Sequence, residues 1–269
     1  MTYSGKWALI TGASAGIGAV FAKTLASRGA NLVLVARRED RLCALADELK
    51  AAHAIDVRII AADLAVDDAP DTVFARLKAD GVDVDILVNN AGFGMPGVFN
   101  ENDWQAHSDY LELMVTGYAH MTHLFLPGML ARGYGRIIHV SSVAGLVAGS
   151  SGHTLYGASK AFLVSFAQSL AAECDGKGVN VTALCPGFTY SEFHDVSKTR
   201  ALVSALPKYM FMAPEPVVEG ALDAVEKGHV VYVPGAWNKF VVWLMKALPR
   251  PWGAAVVRGQ SKSFRKKDA

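Results

Sequence analysis

Tyr156 and Lys160 stand four residues apart in the stretch Leu155-Tyr156-Gly157-Ala158-Ser159-Lys160. On a helix that spacing brings a phenol and an ammonium to one face. A tyrosine hydroxyl ordinarily loses its proton near pH ~10, too high for acid–base work at neutral pH. A neighbouring cation favours the phenolate, and a phenol so tuned can exchange a proton with a substrate oxygen. Two solvated neighbours on a helix would show the same spacing, so the elements that position the pair must decide its meaning.

Those elements begin at the N-terminus. Lys6-Trp7-Ala8-Leu9-Ile10 reads as a short buried strand running into Thr11-Gly12-Ala13-Ser14-Ala15-Gly16-Ile17-Gly18. A helix follows: Ile17, Val20, Phe21 and Leu25 recur at helical spacing, and Gly29 lies beyond Arg28 as a C-terminal stop. Strand, glycine-rich turn and helix together present unpaired backbone N–H groups and a positive helix end to a pyrophosphate. The glycines G-x-x-x-G-x-G have separate tasks: a tight turn, close approach of backbone to phosphate, and close packing of helix on strand.

Further along, apolar strand-like runs alternate with helical patterns: Asn31 to Ala36, Val57 to Ala61, Ile86 to Asn89, Arg136 to Val140, Val179 to Leu184 and Val230 to Val233. This alternation predicts an α/β fold, a single-domain doubly wound parallel sheet of Rossmann type with helices on both faces. In such a sheet ligands sit beyond the carboxyl ends of the strands, where strand order reverses. Asp63-Leu64, Asn89-Asn90-Ala91-Gly92, Ser141-Ser142-Val143-Ala144-Gly145 and Pro186-Gly187-Phe188-Thr189 each follow one of these strands. They can therefore converge on one cleft.

With the glycine loop and Tyr156/Lys160, these landmarks come in the order of the short-chain dehydrogenase/reductase family, which residues 5 to 233 resemble. The wording Ala36-Arg37-Arg38-Glu39-Asp40-Arg41-Leu42 and Leu126-Pro127-Gly128-Met129 is similar to bacterial NADP-dependent carbonyl reductases of that family. The resemblance implies hydride transfer between a nicotinamide and a carbonyl or secondary alcohol. Tyr156 would exchange the proton, Ser142 would hold the substrate oxygen, and Lys160 would bond the nicotinamide ribose and lower the tyrosine's pKa. It also implies that Gly12, Ser14, Gly16, Ile17 and Gly18 cradle the pyrophosphate, Asp63 and Leu64 contact the adenine, and Asn90, Ala91 and Gly92 lie beside the adenosine ribose. Pro186, Gly187 and Thr189 would meet the nicotinamide end.

Cofactor choice is read after the second strand, where an acidic side chain would bond the adenosine ribose hydroxyls and select NAD. Arg37 and Arg38 occupy that place and can pair with a 2′-phosphate, which predicts NADP(H). Ala15 stands where many NADP-preferring relatives carry a second basic residue, so Arg37 and Arg38 must suffice.

Two departures from the family pattern bear on the chemistry. The interval from Ser142 to Tyr156 is 14 positions, one more than usual, which puts an extra residue in the Leu146 to Leu155 loop. Moving the serine's role to Val143 would leave no group to bond an oxyanion. In Leu113-Met114-Val115-Thr116-Gly117, Met114 takes the place of the asparagine that anchors a proton relay to the lysine. The triad is intact and the tetrad is not. A competing reading follows, a nucleotide-binding regulatory or scaffold protein of the same fold with weak turnover.

Composition narrows the class. The chain has 269 residues, 52% hydrophobic and 19% charged, enough for one large domain. Its net charge of +1 argues against nucleic acid as a partner. Cys43, Cys174 and Cys185 lack metal-ligand spacing, and His120 and His123 share a helix face with no third ligand in view, so no metal is expected. No secretory signal opens the sequence, and cytoplasmic residence is expected. Residues 1–233 are read as the dinucleotide-binding and catalytic domain, and 234–269 as a C-terminal extension packed on it or at an interface, ending in a frayed basic tail. Between Phe188 and Pro216, where the family resemblance implies a substrate lid, Tyr190, Phe193, Tyr209, Met210, Phe211 and Met212 suggest an apolar pocket for a moderately apolar substrate. In the extension, Phe240, Val241, Trp243, Leu244 and Trp252 are too apolar to stay wet together. A subunit contact within a homo-oligomer is expected there, with peripheral membrane contact through 237–257 as the second reading.

Overall fold

The structure, a computed structural model, describes residues 2–95, 97–149, 151–152, 154–190 and 207–249. Strands β1 (Trp7–Thr11), β2 (Asn31–Ala36), β3 (Val57–Ala61), β4 (Val84–Asn89), β5 (Gly135–Val140) and β6 (Val179–Leu184) follow the apolar runs closely. The helices are α1 (Gly16–Ser27), α2 (Glu39–Ala52), α3 (Ala69–Ala79), α4 (Trp104–Leu111), α5 (Gly117–Arg132), α6 (Thr154–Glu173), α7 (Pro214–Glu226) and α8 (Ala236–Ala247). Strands β7 (Phe188–Thr189) and β8 (Phe211–Met212) form a separate parallel pair, and β9 is Val231–Tyr232.

The main sheet is parallel, with order β3-β2-β1-β4-β5-β6-β9. Strand order therefore reverses between β1 and β4, and the crevice expected at that switch lies outside Thr11 and Asn89. Alternation along each strand splits the core in two. Ile10, Leu34 and Ile138 point toward α1, α2 and α7, where Phe21, Leu25, Leu42 and Leu222 are buried. Leu9, Val35 and Ile137 point the other way, onto Val73, Phe125 and Val164 of α3, α5 and α6. Full burial of such a side chain contributes roughly 1.5–3 kcal/mol, so both helical layers are fixed by their apolar stripes.

Strand β4 starts two residues earlier than the apolar run suggests, at Val84-Asp85. Asp85 is buried, accepts from the Trp7 backbone N–H at 3.2 Å, and has Lys6 and Arg132 each at 3.6 Å. Its paired charge lets a carboxylate occupy a strand position that hydropathy would refuse.

Candidate active site

The glycine turn is built for a close approach. Gly12 has φ 67° and Gly16 φ 56°, left-handed values that side chains resist. A Cβ on Gly12 would lie 2.8 Å from the Asn90 amide nitrogen, and one on Gly18 would strike the Gly12 carbonyl oxygen. Ala15, the residue before α1, offers no side-chain cap, which leaves the helix's first N–H groups facing the turn. Thr11, to which sequence reasoning gave no role, locks this turn to the next. Its hydroxyl accepts from the backbone N–H groups of Asn90 and Ala91 at 2.8 and 2.9 Å, while the Asn90 amide donates to the Thr11 carbonyl at 2.8 Å. A dinucleotide fits this cradle.

Beyond β2 the two arginines take different partners. Arg38 donates from Nε and Nη2 to the Ser14 hydroxyl at 3.3 and 3.1 Å, holding its guanidinium on the glycine turn. Arg37 is more exposed and lies 3.7 Å from the Asp63 carboxylate. Asp63 also accepts from the Ala65 backbone N–H at 3.1 Å, and Leu64 beside it is buried. Gly92, at the end of the β4 landmark, would drive a Cβ to within 2.8 Å of the Met114 sulfur. Met114 is fully buried in a single π-helical turn, Glu112–Thr116, that joins α4 to α5. Glycine and methionine fill that space together.

Ser142 follows β5 in an extended conformation (φ −165°) and caps the short turn Val143–Gly145, accepting from the Ala144 N–H at 3.1 Å. Its hydroxyl also lies 3.4 Å from the Pro186 carbonyl, and it hydrogen-bonds the Tyr156 side chain. The structure thus brings Ser142, not Val143, to the tyrosine. Ser141 donates to the Lys160 carbonyl at 2.7 Å, tying β5 to α6. Gly145 permits the approach, since a Cβ there would lie 2.5 Å from the Lys160 carbonyl carbon and oxygen. This packing is the physical reason for Ser-x-x-Gly ahead of Tyr156.

Lys160 is buried, donates to the Val140 carbonyl at 2.7 Å, and stands 5.7 Å from the centre of the Tyr156 ring and 5.8 Å from that of Tyr118. Burial lowers its pKa to about 7. Burial also pushes the Tyr156 phenol above its ordinary value, with the Ser142 hydrogen bond acting in the opposite direction. The expected depression of the tyrosine by Lys160 is therefore not produced by the chain's own groups, because desolvation outweighs what they supply.

A polar layer unforeseen in the sequence supports the pair. Tyr110 and Ser159 share a hydrogen bond at 3.0 Å, Ser159 donates to the Tyr156 carbonyl at 3.0 Å, and the Tyr118 hydroxyl donates to the Ala91 carbonyl at 2.9 Å. Below them Asn89 lies 3.3 Å from His139 Nδ1, and burial lowers the His139 pKa to about 3. Only Ser159, inside the Tyr156–Lys160 stretch, sat next to a sequence signal. Pro186 accepts from the Val143 N–H at 2.9 Å, and Thr189 donates to the Gly187 carbonyl at 3.3 Å. A Cβ on Gly187 would strike the Asn238 amide, which seats α8 directly on the loop after β6. His120 pairs with Asp71 at 3.3 Å, and the described residues hold no cluster suited to a metal. Phe193 and Trp252, named for the lid and the extension, lie outside the described residues.

The family model described as short chain dehydrogenase matches residues 6–201. Among curated proteins, the 7beta-hydroxysteroid dehydrogenase of Collinsella aerofaciens is 30% identical over 251 residues, covering 90% of this chain and 91% of that one. Among solved structures, a short-chain dehydrogenase from Sphingobium yanoikuyae in complex with NADPH superposes with a TM-score of 0.79 at 31% identity, covering 91% of this chain and 97% of the other. A short chain dehydrogenase/reductase from Burkholderia phymatum in complex with NAD gives a TM-score of 0.81 at 27% identity, with 96% and 97% covered. With the parallel sheet, the glycine turn and the Ser142–Tyr156–Lys160 grouping in place, the chain belongs to the short-chain dehydrogenase family and is a nicotinamide-dependent oxidoreductase of carbonyls and alcohols.

Proposed function

We propose that this protein uses NADP(H) to reduce a bulky, moderately apolar ketone, or to oxidise the matching secondary alcohol. The observation that carries the reading is the hydrogen bond between Ser142 and Tyr156 with the buried Lys160 ammonium group 5.7 Å from the tyrosine ring. The bound nicotinamide supplies or accepts the hydride. Ser142 donates to the carbonyl oxygen and fixes its direction, and Tyr156 passes its proton to that oxygen as negative charge develops. Oxidation runs the same proton back. Tyr156 then needs its phenolate, which an oxidised nicotinamide ring beside the Lys160 ammonium would favour. Lys160, anchored on the Val140 carbonyl, would also hold the nicotinamide ribose.

Support for NADP(H) comes from Arg38, whose guanidinium rests on Ser14 of the phosphate turn, with Arg37 beside it. An arginine so placed meets a 2′-phosphate through charge-assisted hydrogen bonds. The apolar substrate is supported by Phe93, Met95, Leu146 and Leu155, half-buried hydrophobics that, like Tyr156, pack against the same core, and by the Phe188–Phe211 and Tyr190–Phe211 ring pairs at 5.6 and 5.0 Å. The other assignments proposed for the cofactor are Gly12, Ser14, Gly16, Ile17 and Gly18 for the pyrophosphate, Asp63 and Leu64 for the adenine, Asn90, Ala91 and Gly92 for the ribose, and Pro186, Gly187 and Thr189 for the nicotinamide. Residues 1–233 would form the catalytic unit, with 234–269 as an extension of it. A homo-oligomer and a cytoplasmic setting complete the proposal.

The test is ketone-dependent oxidation of NADPH and of NADH, followed by absorbance across ketones of graded size. Faster turnover with NADPH and a kcat/KM that rises with apolar bulk support the reading. Turnover confined to NADH, or to small polar carbonyls, overturns it.

A further inference from the structure

Helix α8 carries two opposed faces. Asn238 and Val242 are buried, Asn238 against the Gly187 loop and 3.6 Å from the Met212 sulfur. The outward side bears Trp237, Phe240, Trp243 and Leu244, which are 40, 48, 63 and 38% exposed. Their rings form a chain, with Trp237–Phe240 at 5.9 Å and Phe240–Trp243 at 6.1 Å, and the chain continues to Tyr209 across a Trp237–Tyr209 edge contact of 5.4 Å. Tyr209 itself is 66% exposed and precedes β8, whose Phe211 stacks with Tyr190. One apolar aromatic surface thus runs from Tyr209 along α8 to Trp243.

The sequence that contains α8 carries charge of a single sign. From Lys227 to Lys267 the sequence contains nine lysines and arginines and no aspartate or glutamate. Lys239 and Lys246, seven residues apart, fall on the same margin of the outward arc of α8. At 12 residues the helix is far too short to cross a bilayer, which takes about 20, but an aromatic face edged by lysines suits burial in the headgroup layer. Exclusive positive charge selects an anionic surface over a neutral one.

We propose that α8 and the Tyr209 segment dock this protein on an anionic lipid membrane. Charge complementarity decides for a membrane over a second copy of the chain, since a symmetric contact through this face would bring like-charged lysines together. The inference does not rest on the redox reading, because docking can be measured without turnover.

Full-length protein is floated with vesicles of phosphatidylcholine alone and with vesicles containing about 30% phosphatidylglycerol. The protein should rise with the anionic vesicles only, and be released when salt is raised to about 0.5 M. The double variant Phe240→Ser/Trp243→Ser should lower partitioning at least about ten-fold, as should Lys239→Glu/Lys246→Glu. Both pairs are exposed and none of the four residues is assigned to the catalytic or cofactor-binding groups, so each variant should keep the wild-type turnover of a water-soluble ketone. Failure of the wild type to float with anionic vesicles overturns the proposal, as does equal flotation with neutral ones or flotation untouched by either double variant. A wild type that does not float but runs on a sizing column as an oligomer, which Phe240→Ser/Trp243→Ser dissociates, would assign the face to a second copy.

Discussion

Replacing Lys160 with methionine should stabilise the fold more at pH 6 than at pH 9, although it removes a residue of the proposed catalytic group. The Lys160 pKa is held at about 7 in the fold against an ordinary 10.5, because burial disfavours the ammonium. The unfolded chain therefore binds the proton more readily between those two values. Stability rises with pH across that window, and the whole penalty is present below pH 7. At about 1.4 kcal/mol per pH unit, the cost is on the order of 5 kcal/mol at pH 6 and about 2 kcal/mol at pH 9. Methionine keeps the stem and removes the charge, but it also strips the Val140 carbonyl of its donor, which costs roughly 1–3 kcal/mol. That loss is independent of pH and cancels when the wild-type-to-variant difference at pH 9 is subtracted from the difference at pH 6. About 3 kcal/mol in favour of the variant remains at pH 6. Urea unfolding of both proteins at both pH values measures it. A wild-type-to-variant gap equal at the two pH values within about 0.5 kcal/mol would refute the buried, depressed lysine.

Arg38→Ala should weaken NADPH binding by about ten-fold or more while leaving NADH within about two-fold, because a charge-assisted bond to phosphate is worth roughly 1.5–3 kcal/mol. Arg37→Asp should shift preference the same way by repulsion; fluorescence titration of both cofactors reads the two variants, and unchanged NADPH affinity in both refutes the assignment. Gly145→Ala should destabilise the protein by about 1–3 kcal/mol and cut kcat, since the new methyl meets the Lys160 carbonyl and must push α6 from β5. Thermal melting beside a turnover assay checks it, and wild-type values for both would show that the contact yields freely.

The sheet was legible in the sequence because its strands are built around apolar runs such as Leu32-Val33-Leu34-Val35 and Ile86-Leu87-Val88, set between turns and helical patterns, a consequence of burial on both faces. Asp85 escaped that reading because its compatibility with β4 depends on Lys6 and Arg132, which the chain brings to it from afar. The choice of Ser142 over Val143 was legible from chemistry alone, as only a hydroxyl can serve. The direction of the Tyr156 pKa was not, because spacing reports the presence of a lysine and is silent on desolvation. Thr11, Tyr110, Tyr118 and His139 were invisible for a related reason: single polar residues in apolar surroundings acquire meaning only from partners dozens of positions away. Met114 stands out in the sequence as a departure from the family pattern, but its packing against Gly92 is visible only in the fold.

The central claim, that Tyr156 delivers the proton that accompanies hydride transfer, is tested most directly by single-turnover oxidation of bound NADPH by a bulky ketone in the wild type and in Tyr156→Phe. NADPH affinity should stay within about two-fold of wild type and the transfer rate should fall by ~10² to 10⁴, the usual contribution of a general acid. A variant that keeps more than half of the wild-type rate would contradict it.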